Sequence, residues 1–128
     1  MRVLKTKTFA RWARKERIDD SLLASALAEM RRGLIDANLG GNLLKKRVAR
    51  RGGGKSGGYR TFVASNQSDR WIFMYGFAKK DRDDVDEAEA SDLKRAGQSY
   101  LALSEEMILQ AIRVGELQEI EYGEPQAS

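Results

Sequence analysis

The chain has 128 residues, with 23 basic and 19 acidic side chains, one proline and neither histidine nor cysteine. The charge is divided unevenly along the chain. Residues 1–80 carry 19 basic and 6 acidic side chains (net +13), whereas residues 81–128 carry 4 basic and 13 acidic side chains (net −9). This division favours an anionic partner for the first part. The composition excludes disulfides, zinc knuckles, thiol nucleophiles and Ser-His-Asp triads, and the lack of long apolar runs or a signal peptide predicts a cytoplasmic protein without a membrane partner.

The first third of the chain predicts a short strand followed by two helices. Residues 2–6 read as the strand, and apolar residues at helical spacing begin after Thr8. A second apolar stripe follows Asp19 and Asp20, which are candidate N-caps, and Gly33 is a plausible stop. We therefore expect two consecutive N-terminal helices.

After Gly40 the apolar pattern takes a period of two and predicts three antiparallel strands joined by short turns. The first is a half-buried strand around residues 44–49 with a basic outer face, and the second runs over residues 59–65. The third spans residues 71–77 and is expected at the centre, because it is apolar on both faces. Its alternation predicts one shared face for Trp71, Phe73, Tyr75 and Phe77.

The last third predicts two acidic helices. A long amphipathic stripe begins at Val85, Ser104 is a candidate cap for a second helix, and Gly115 is its expected end. Residues 117–122 fit a short strand or an extended tail. The element order predicts an α+β fold in which helices pack on one small antiparallel sheet, as a single domain over residues 1–128 with 85–115 as its C-terminal helical part.

The glycine-rich segment 52–58 resembles a phosphate-binding loop only superficially. Gly54, Lys55 and Ser56 match the end of the G-x-x-x-x-G-K-[ST] motif, but Ala49 stands where the first glycine is required. The segment also leads into a strand instead of a helix. We therefore expect a mobile turn here, and no nucleotide or other cofactor.

A basic stretch surrounds this turn. No acidic residue occurs from Ala37 to Ser68. Such a run is often a solvated face, but the lack of compensating acids beside aromatic strands favours polyanion binding, with phosphate as the natural ligand. The basic residues of the stretch are Lys45, Lys46, Arg47, Arg50, Arg51, Lys55 and Arg60.

A second basic group follows the third strand, over residues 79–82. In an antiparallel meander the end of this strand lies near the strand that carries Arg60, so Lys79 and Lys80 are expected to converge with Arg60. An ordinary strand-to-helix turn is the alternative, with an aspartate among residues 81–84 capping the next helix. Both interpretations can hold together.

Several segments together resemble the RelE/HigB-like toxins of bacterial toxin–antitoxin pairs. They are Lys-Ser-Gly-Gly-Tyr-Arg at 55–60, the strand after it, and Tyr-Gly-Phe-Ala-Lys at 75–79. The resemblance also covers the N-terminal helices and the closing helix. It implies a compact α+β toxin that enters the ribosomal A site and cuts the mRNA, and a cognate antitoxin that is often a helix-turn-helix DNA-binding protein. The acidic helices or the outer sheet face are candidate surfaces for that antitoxin.

Cleavage by attack of a 2′-OH on the adjacent phosphate requires a base, an acid and cations that stabilise the developing charge. Without histidine, a lysine with a lowered pKa is the candidate base. The resemblance implies that Arg60 contacts the scissile phosphate and that Lys80, with Lys79 beside it, contacts phosphate or transfers the proton. We group Arg82 with these catalytic candidates. The expected RNA-binding residues are Lys45, Lys46, Arg47, Arg50, Lys55 and Tyr59, and the acidic C-terminal helices are expected to stand outside this surface.

One departure and two alternatives remain open at this stage. Some relatives carry a tyrosine after the basic residue of the central strand, where this chain has residues 83–86, all acidic except Val85. Tyr59 and Tyr75 are the candidate replacements. The same fold also serves toxins that inhibit DNA gyrase by binding it, and a non-catalytic RNA-binding module is the third possibility.

Overall fold

The computed structural model describes residues 1–50 and 57–122, which form six strands and four helices. In chain order these elements are β1 (Arg2–Thr6), α1 (Lys7–Lys15), α2 (Asp20–Arg31), β2 (Ala37–Asn38), β3 (Leu43–Val48), β4 (Tyr59–Ser65), β5 (Arg70–Ala78), α3 (Glu87–Ala102), α4 (Glu105–Arg113) and β6 (Leu117–Glu119). The predicted α+β class is confirmed. None of the helices in the described ranges is long and apolar enough to cross a membrane.

The six strands form one open sheet in the order β2-β3-β4-β5-β1-β6. Neighbouring strands are antiparallel except β1 and β5, which run parallel with Val3 opposite Trp71. The sheet is therefore larger than the predicted meander and is mixed. The prediction that β5 is an interior strand is confirmed, since β4 and β1 flank it.

The helices begin at side-chain caps. Asp19 accepts a hydrogen bond from the N–H of Leu22, and Ser104 accepts one from Met107, as the sequence predicted. The predicted cap for α3 among residues 81–84 is wrong, because Asp86 takes that position. Asp86 forms a capping box with Glu89, which satisfies two backbone donors at once.

Helices cover both faces of the sheet. Phe9 and Leu23, from α1 and α2, share one buried cluster with Phe73 of β5. On the other face, Ile108 of α4 packs in a cluster with Ile72 of β5, and partly buried residues of α3 join it. Consecutive residues of β5 thus serve two cores, which explains why this strand is apolar throughout.

A β-bulge in β5 changes which aromatic residues share a face. Phe62 of β4 lies opposite Tyr75, but its neighbour Val63 lies opposite Phe73, so β5 contains one extra residue. Phe73 therefore packs towards α1 and α2, whereas Tyr75 and Phe77 pack with Phe62 on the α3 face. The prediction that Trp71, Phe73, Tyr75 and Phe77 share one face is wrong for this reason.

Two contacts fix α3 against the sheet. Gly97 lies so close to Ala64 of β4 that a Cβ at position 97 would sit 2.7 Å from the Ala64 Cβ. At the far end of α3, the Arg70 guanidinium donates hydrogen bonds to three backbone carbonyls, including that of Leu103 at 2.7 Å. A cation there also suits the negative end of the helix dipole. These contacts hold the middle and the C-terminal end of α3 against β4 and β5.

Candidate nucleic-acid interface

Arg60 lies at the centre of the basic residues on the α3 side of the sheet. In β4 it stands directly opposite Arg47 of β3 and Phe77 of β5. Side chains directly opposite each other on neighbouring strands share a face, as do alternate residues along one strand. We call this surface the Arg60 face, and it consists of Lys45, Arg47, Arg60, Phe62, Tyr75 and Phe77.

Arg60 carries a charge that no carboxylate of the described residues neutralises. Its side chain is half-buried, and its Nη1 atom is fully buried without a hydrogen-bond partner in the described part of the chain. A guanidinium stays protonated, so its opposite neighbour Arg47 adds a second positive charge nearby. A buried charged donor without a partner is costly, and an anion at this point would satisfy it.

Arg82 is held much more firmly than Arg60. It makes a bidentate pair with Glu89, with distances of 2.6 and 3.0 Å, and donates to the Asp84 carbonyl at 2.8 Å. Its guanidinium also lies 5.2 Å from the centre of the Phe77 ring and 3.3 Å from the Tyr75 hydroxyl. The hydrogen bonds that Arg82 donates to Glu89 raise the pKa of Arg82 above its ordinary value, so it is a poor proton donor. We interpret Arg82 as a positioning residue for the aromatic side chains of the Arg60 face.

Acidic residues after β5 approach the Arg60 face directly. The carboxylate of Asp84 lies 3.1 Å from Lys45 Nζ, and Glu89 binds Arg82. The expectation that the acidic C-terminal helices stand outside the basic surface is therefore wrong for the first turn of α3, where Glu89 lies. Asp84 neutralises Lys45 of the Arg60 face and Glu89 neutralises Arg82 beside it, whereas Arg60 has no carboxylate partner among the described residues.

Lys79 and Lys80 lie at the end of the β4–β5 pair. The Lys79 N–H donates to the Gly58 carbonyl, which places both exposed lysines at the same end of the sheet as Arg60. Lys80, however, lines a small cleft with Glu16 and Tyr59 on the α1 side of the sheet. The expected convergence is thus partial: Phe77 lies opposite Arg60 in the sheet and its ring lies near Arg82, whereas Lys80 lies beyond the end of the sheet.

Lys46 and Tyr59 are on the opposite face from Arg60. Lys46 is only 6% exposed, and its ammonium binds Glu29 at 2.7 Å and the Leu34 carbonyl at 2.9 Å. Tyr59 is 7% exposed, with its ring packed edge-on against Trp12. Strand alternation explains both positions, since residues 45 and 47 point one way and residue 46 the other. The structure gives these two expected RNA contacts structural roles, so we leave them out of the interface.

The remaining expected RNA contacts occupy different positions. Arg50 is exposed and lines the same small cleft as Lys80. Lys55 lies outside the described residues. Among the candidate basic residues, Lys45, Arg47 and Arg60 are therefore the ones that share a single strand face.

Tyr75 lies on a different face from the one predicted, and this difference matters for the site. Its half-buried ring lies on the Arg60 face, and its hydroxyl accepts a hydrogen bond from Arg82. Of the two tyrosines considered as replacements, Tyr75 reaches this face and Tyr59 does not. The available signal was Gly76, because a glycine inside a strand often marks a bulge.

The Arg82–Glu89 pair is expected to make the stability of the fold depend on pH. Hydrogen bonds from Arg82 and from the Asp86 N–H lower the pKa of Glu89 to about 2, against 4.5 for an ordinary glutamate. A lowered folded-state pKa adds stability above the unfolded-state pKa, and this contribution is lost as pH falls from about 4.5 to about 2. We expect urea unfolding of the Glu89→Gln variant to lose part of the wild-type pH dependence in this window. The capping position keeps a hydrogen-bonding side chain.

Asp92→Asn is the matched control, because it removes an exposed carboxylate from the same helix. It should leave the difference in stability between neutral and acid pH close to that of the wild type. An equal effect of both substitutions would contradict the assignment of the pH dependence to Glu89.

The described residues thus define an α+β protein whose six-stranded sheet carries a basic face around Arg60. The family model for the RelE toxin of the RelE/RelB toxin–antitoxin system matches residues 1–120, and the chain belongs to this family. It is thus a toxin of a toxin–antitoxin system, and the family implies a cognate antitoxin as its partner. A search of curated proteins gave no match.

Proposed function

We propose that this toxin is an endoribonuclease that cuts mRNA on the ribosome. The observation that carries the proposal is the Arg60 guanidinium, half-buried on a basic face, with one buried nitrogen that lacks a partner in the described part of the chain. Cleavage of a phosphodiester forms a phosphorane with additional negative charge, and a preorganised donor of this kind stabilises that charge. The family assignment supports this activity, and Arg60 is the arginine of its Gly-Tyr-Arg motif.

The reaction that we propose is attack of a ribose 2′-oxygen on the adjacent phosphorus. The 2′-OH gives its proton to a base, the P–O5′ bond breaks, and the departing 5′-oxygen receives a proton. The products are a 2′,3′-cyclic phosphate and a 5′-hydroxyl. Arg60 stabilises the extra negative charge on the non-bridging oxygens, while Lys45 and Arg47 hold the neighbouring backbone.

The candidates for proton transfer lie around Arg60. Lys79 and Lys80 are exposed amines at the sheet end, and the Tyr75 hydroxyl is on the Arg60 face itself. Arg82 supports Tyr75 and Phe77 and takes no proton, since Glu89 holds it in the charged form. These three residues are the candidates for the acid and the base.

The partners that we propose follow from this activity. The ribosome presents the mRNA, and the toxin acts in the cytoplasm, where translation occurs. The cognate antitoxin is proposed to be a helix-turn-helix DNA-binding protein. It neutralises the toxin until it is removed.

The test in cells is tightly controlled expression in bacteria, with mapping of transcript 5′ ends in wild-type and Arg60→Ala strains. We expect new 5′ ends within translated messages for the wild type and none for the variant. Growth arrest with intact messages would overturn the nuclease proposal. Inhibition of DNA supercoiling by the purified protein would then identify the gyrase-binding alternative.

A further inference from the structure

Asp84 brings a carboxylate to the Arg60 face, next to Lys45. One of its oxygens lies 3.1 Å from Lys45 Nζ. Lys45 stands directly opposite Phe62 of β4, so the pair is a neighbour of the aromatic side chains of this face. The Lys45 side chain is 19% exposed and that of Asp84 is 56% exposed. The pair is therefore open to exchange with an anion that approaches from solution.

Neighbouring residues hold Asp84 in this position. The Arg82 guanidinium donates two hydrogen bonds to the Asp84 carbonyl, at 3.0 and 2.8 Å, and Glu89 fixes Arg82 in turn. The Val85 N–H donates to Asp84 Oδ1 at 2.8 Å, while Oδ2 contacts Lys45. An exposed ion pair usually loses much of its benefit to the ordering of two side chains, and here part of that ordering is already done.

The other aspartates of residues 81–86 have different surroundings. Asp86 caps α3, and Asp81 and Asp83 are exposed without an ion pair or a side-chain hydrogen bond to the described residues. Within the described ranges, Asp84 is thus the aspartate of this segment whose carboxylate binds a cation of the Arg60 face. The contact is a specific pairing and not a general consequence of the acidic segment.

The chemistry of this pair matches that of a phosphate contact. A carboxylate oxygen and a phosphate oxygen make the same kind of charge-assisted hydrogen bond with an ammonium group. Asp84 therefore occupies the position that a backbone phosphate needs at Lys45. Arg60 differs, because its buried Nη1 atom has no partner in the described part of the chain. The toxin by itself thus presents Arg60 ready for an anion and Lys45 already neutralised.

We propose that Asp84 is a specificity-determining residue that competes with a backbone phosphate of RNA for Lys45. The inference rests on the proposed function, since it takes RNA as the ligand of the Arg60 face. An RNA strand gains the Lys45 contact only by displacing the carboxylate. A free strand also loses conformational freedom when it binds, whereas a message held by the ribosome is already ordered. Asp84 therefore selects against RNA outside the ribosome.

The experiment measures binding of a fluorescent single-stranded RNA across a range of salt concentrations, without ribosomes. The RNA carries 2′-O-methyl groups, which block the attacking hydroxyl and prevent cleavage. Asp84→Asn removes the charge but keeps an oxygen that accepts from the Val85 N–H, so the variant should fold. The matched control is Asp83→Asn, which removes the same charge from the exposed neighbouring residue. Thermal unfolding verifies that both variants are folded.

We expect Asp84→Asn to bind the free strand about three- to fivefold more tightly at low salt, the effect of releasing one exposed ion pair. The slope of log affinity against log salt should become steeper by about 0.7, the value for one further phosphate contact with a single strand. Asp83→Asn should bind like the wild type. Equal gains in both variants, or no gain in Asp84→Asn, would overturn the proposal.

A double-mutant cycle with Lys45→Gln tests whether Asp84 acts through Lys45. The loss of RNA affinity caused by Lys45→Gln should be larger in the Asp84→Asn background, because Lys45 is unpaired there before RNA arrives. Equal losses in both backgrounds would show that Asp84 acts only through its general charge, and would overturn the proposal.

These outcomes are separable from those of the proposed function. The expected binding changes in a toxin that leaves messages whole on translating ribosomes would overturn the nuclease proposal alone. Cleavage on ribosomes, with an affinity for free RNA that Asp84→Asn leaves unchanged, would overturn the Asp84 proposal alone. The toxin concentration that half-saturates cleavage on ribosomes should change less than the affinity for the free strand. An equal change would overturn the selection against free RNA.

Discussion

Replacing Arg60 with alanine is expected to lower the rate of mRNA cleavage by about 10²- to 10³-fold, the loss typical of removing one preorganised donor to a developing oxyanion. The physical reason is that Arg60 has a buried side-chain nitrogen with no hydrogen-bond partner among the described residues, and this nitrogen can donate to an incoming phosphate. Single-turnover cleavage of a ribosome-bound message measures the effect. Arg60→Lys should recover only part of the rate, because an ammonium keeps the charge but loses the planar fork.

The control for this prediction is Arg31→Ala, which removes an exposed cation at the other end of the sheet. It should cleave at the wild-type rate. Arg60→Ala should remain folded, because the substitution relieves the repulsion between Arg60 and its opposite neighbour Arg47. Wild-type cleavage by a folded Arg60→Ala variant would contradict the placement of the scissile phosphate at Arg60.

The second large effect concerns Gly76, next to the bulge that turns Tyr75 and Phe77 towards the Arg60 face. A Cβ at position 76 would overlap the six-membered ring of Trp12. Gly76→Ala is therefore expected to lower the free energy of unfolding by about 1–3 kcal/mol, as overpacking of a filled core does. Urea unfolding with fluorescence detection measures this loss.

A double-mutant cycle separates the Trp12 contact from other effects of the new methyl group. In a Trp12→Leu background the large ring is absent, so Gly76→Ala should destabilise the protein less than it does in the wild type. An equal loss of stability in both backgrounds would show that the Trp12 ring is not what excludes a side chain at position 76.

Local signals accounted for the parts of the fold that the sequence predicted. Asp19 and Ser104 cap their helices because short polar side chains before apolar stripes suit the free N–H groups of a first turn. The interior position of β5 followed from its apolar residues on both faces. These features depend on a few neighbouring residues and are visible without tertiary information.

Long-range pairing accounted for what was missed. The parallel alignment of β1 with β5 joins residues about seventy positions apart, as Val3 and Trp71 show, and no local pattern specifies it. The two-residue strand β2 is too short to produce an alternation. The bulge in β5, opposite Phe62 and Val63 of β4, arises from the packing of two strands, with Gly76 as its single sequence signal.

The sequence predicted a basic site suited to phosphate, but it predicted the positions of only some of the residues of that site. Strand alternation alone separates Lys46 from Lys45 and Arg47, and a stricter use of the period would have kept Lys46 out of the interface. The pairing of Arg82 with Glu89 could not be read from spacing, because it depends on how α3 meets the sheet. The division of charge between the two parts of the chain indicated an anionic partner. It did not show that Asp84 and Glu89 border the basic face.

Cleavage of a defined message by the purified protein, with and without ribosomes, tests the central claim most directly. We predict that the wild-type toxin cuts the message only when ribosomes are translating it, that the new ends are a 2′,3′-cyclic phosphate and a 5′-hydroxyl, and that Arg60→Ala leaves the message intact. The account would be contradicted if the message stays whole on translating ribosomes although expression of the same toxin arrests growth in cells.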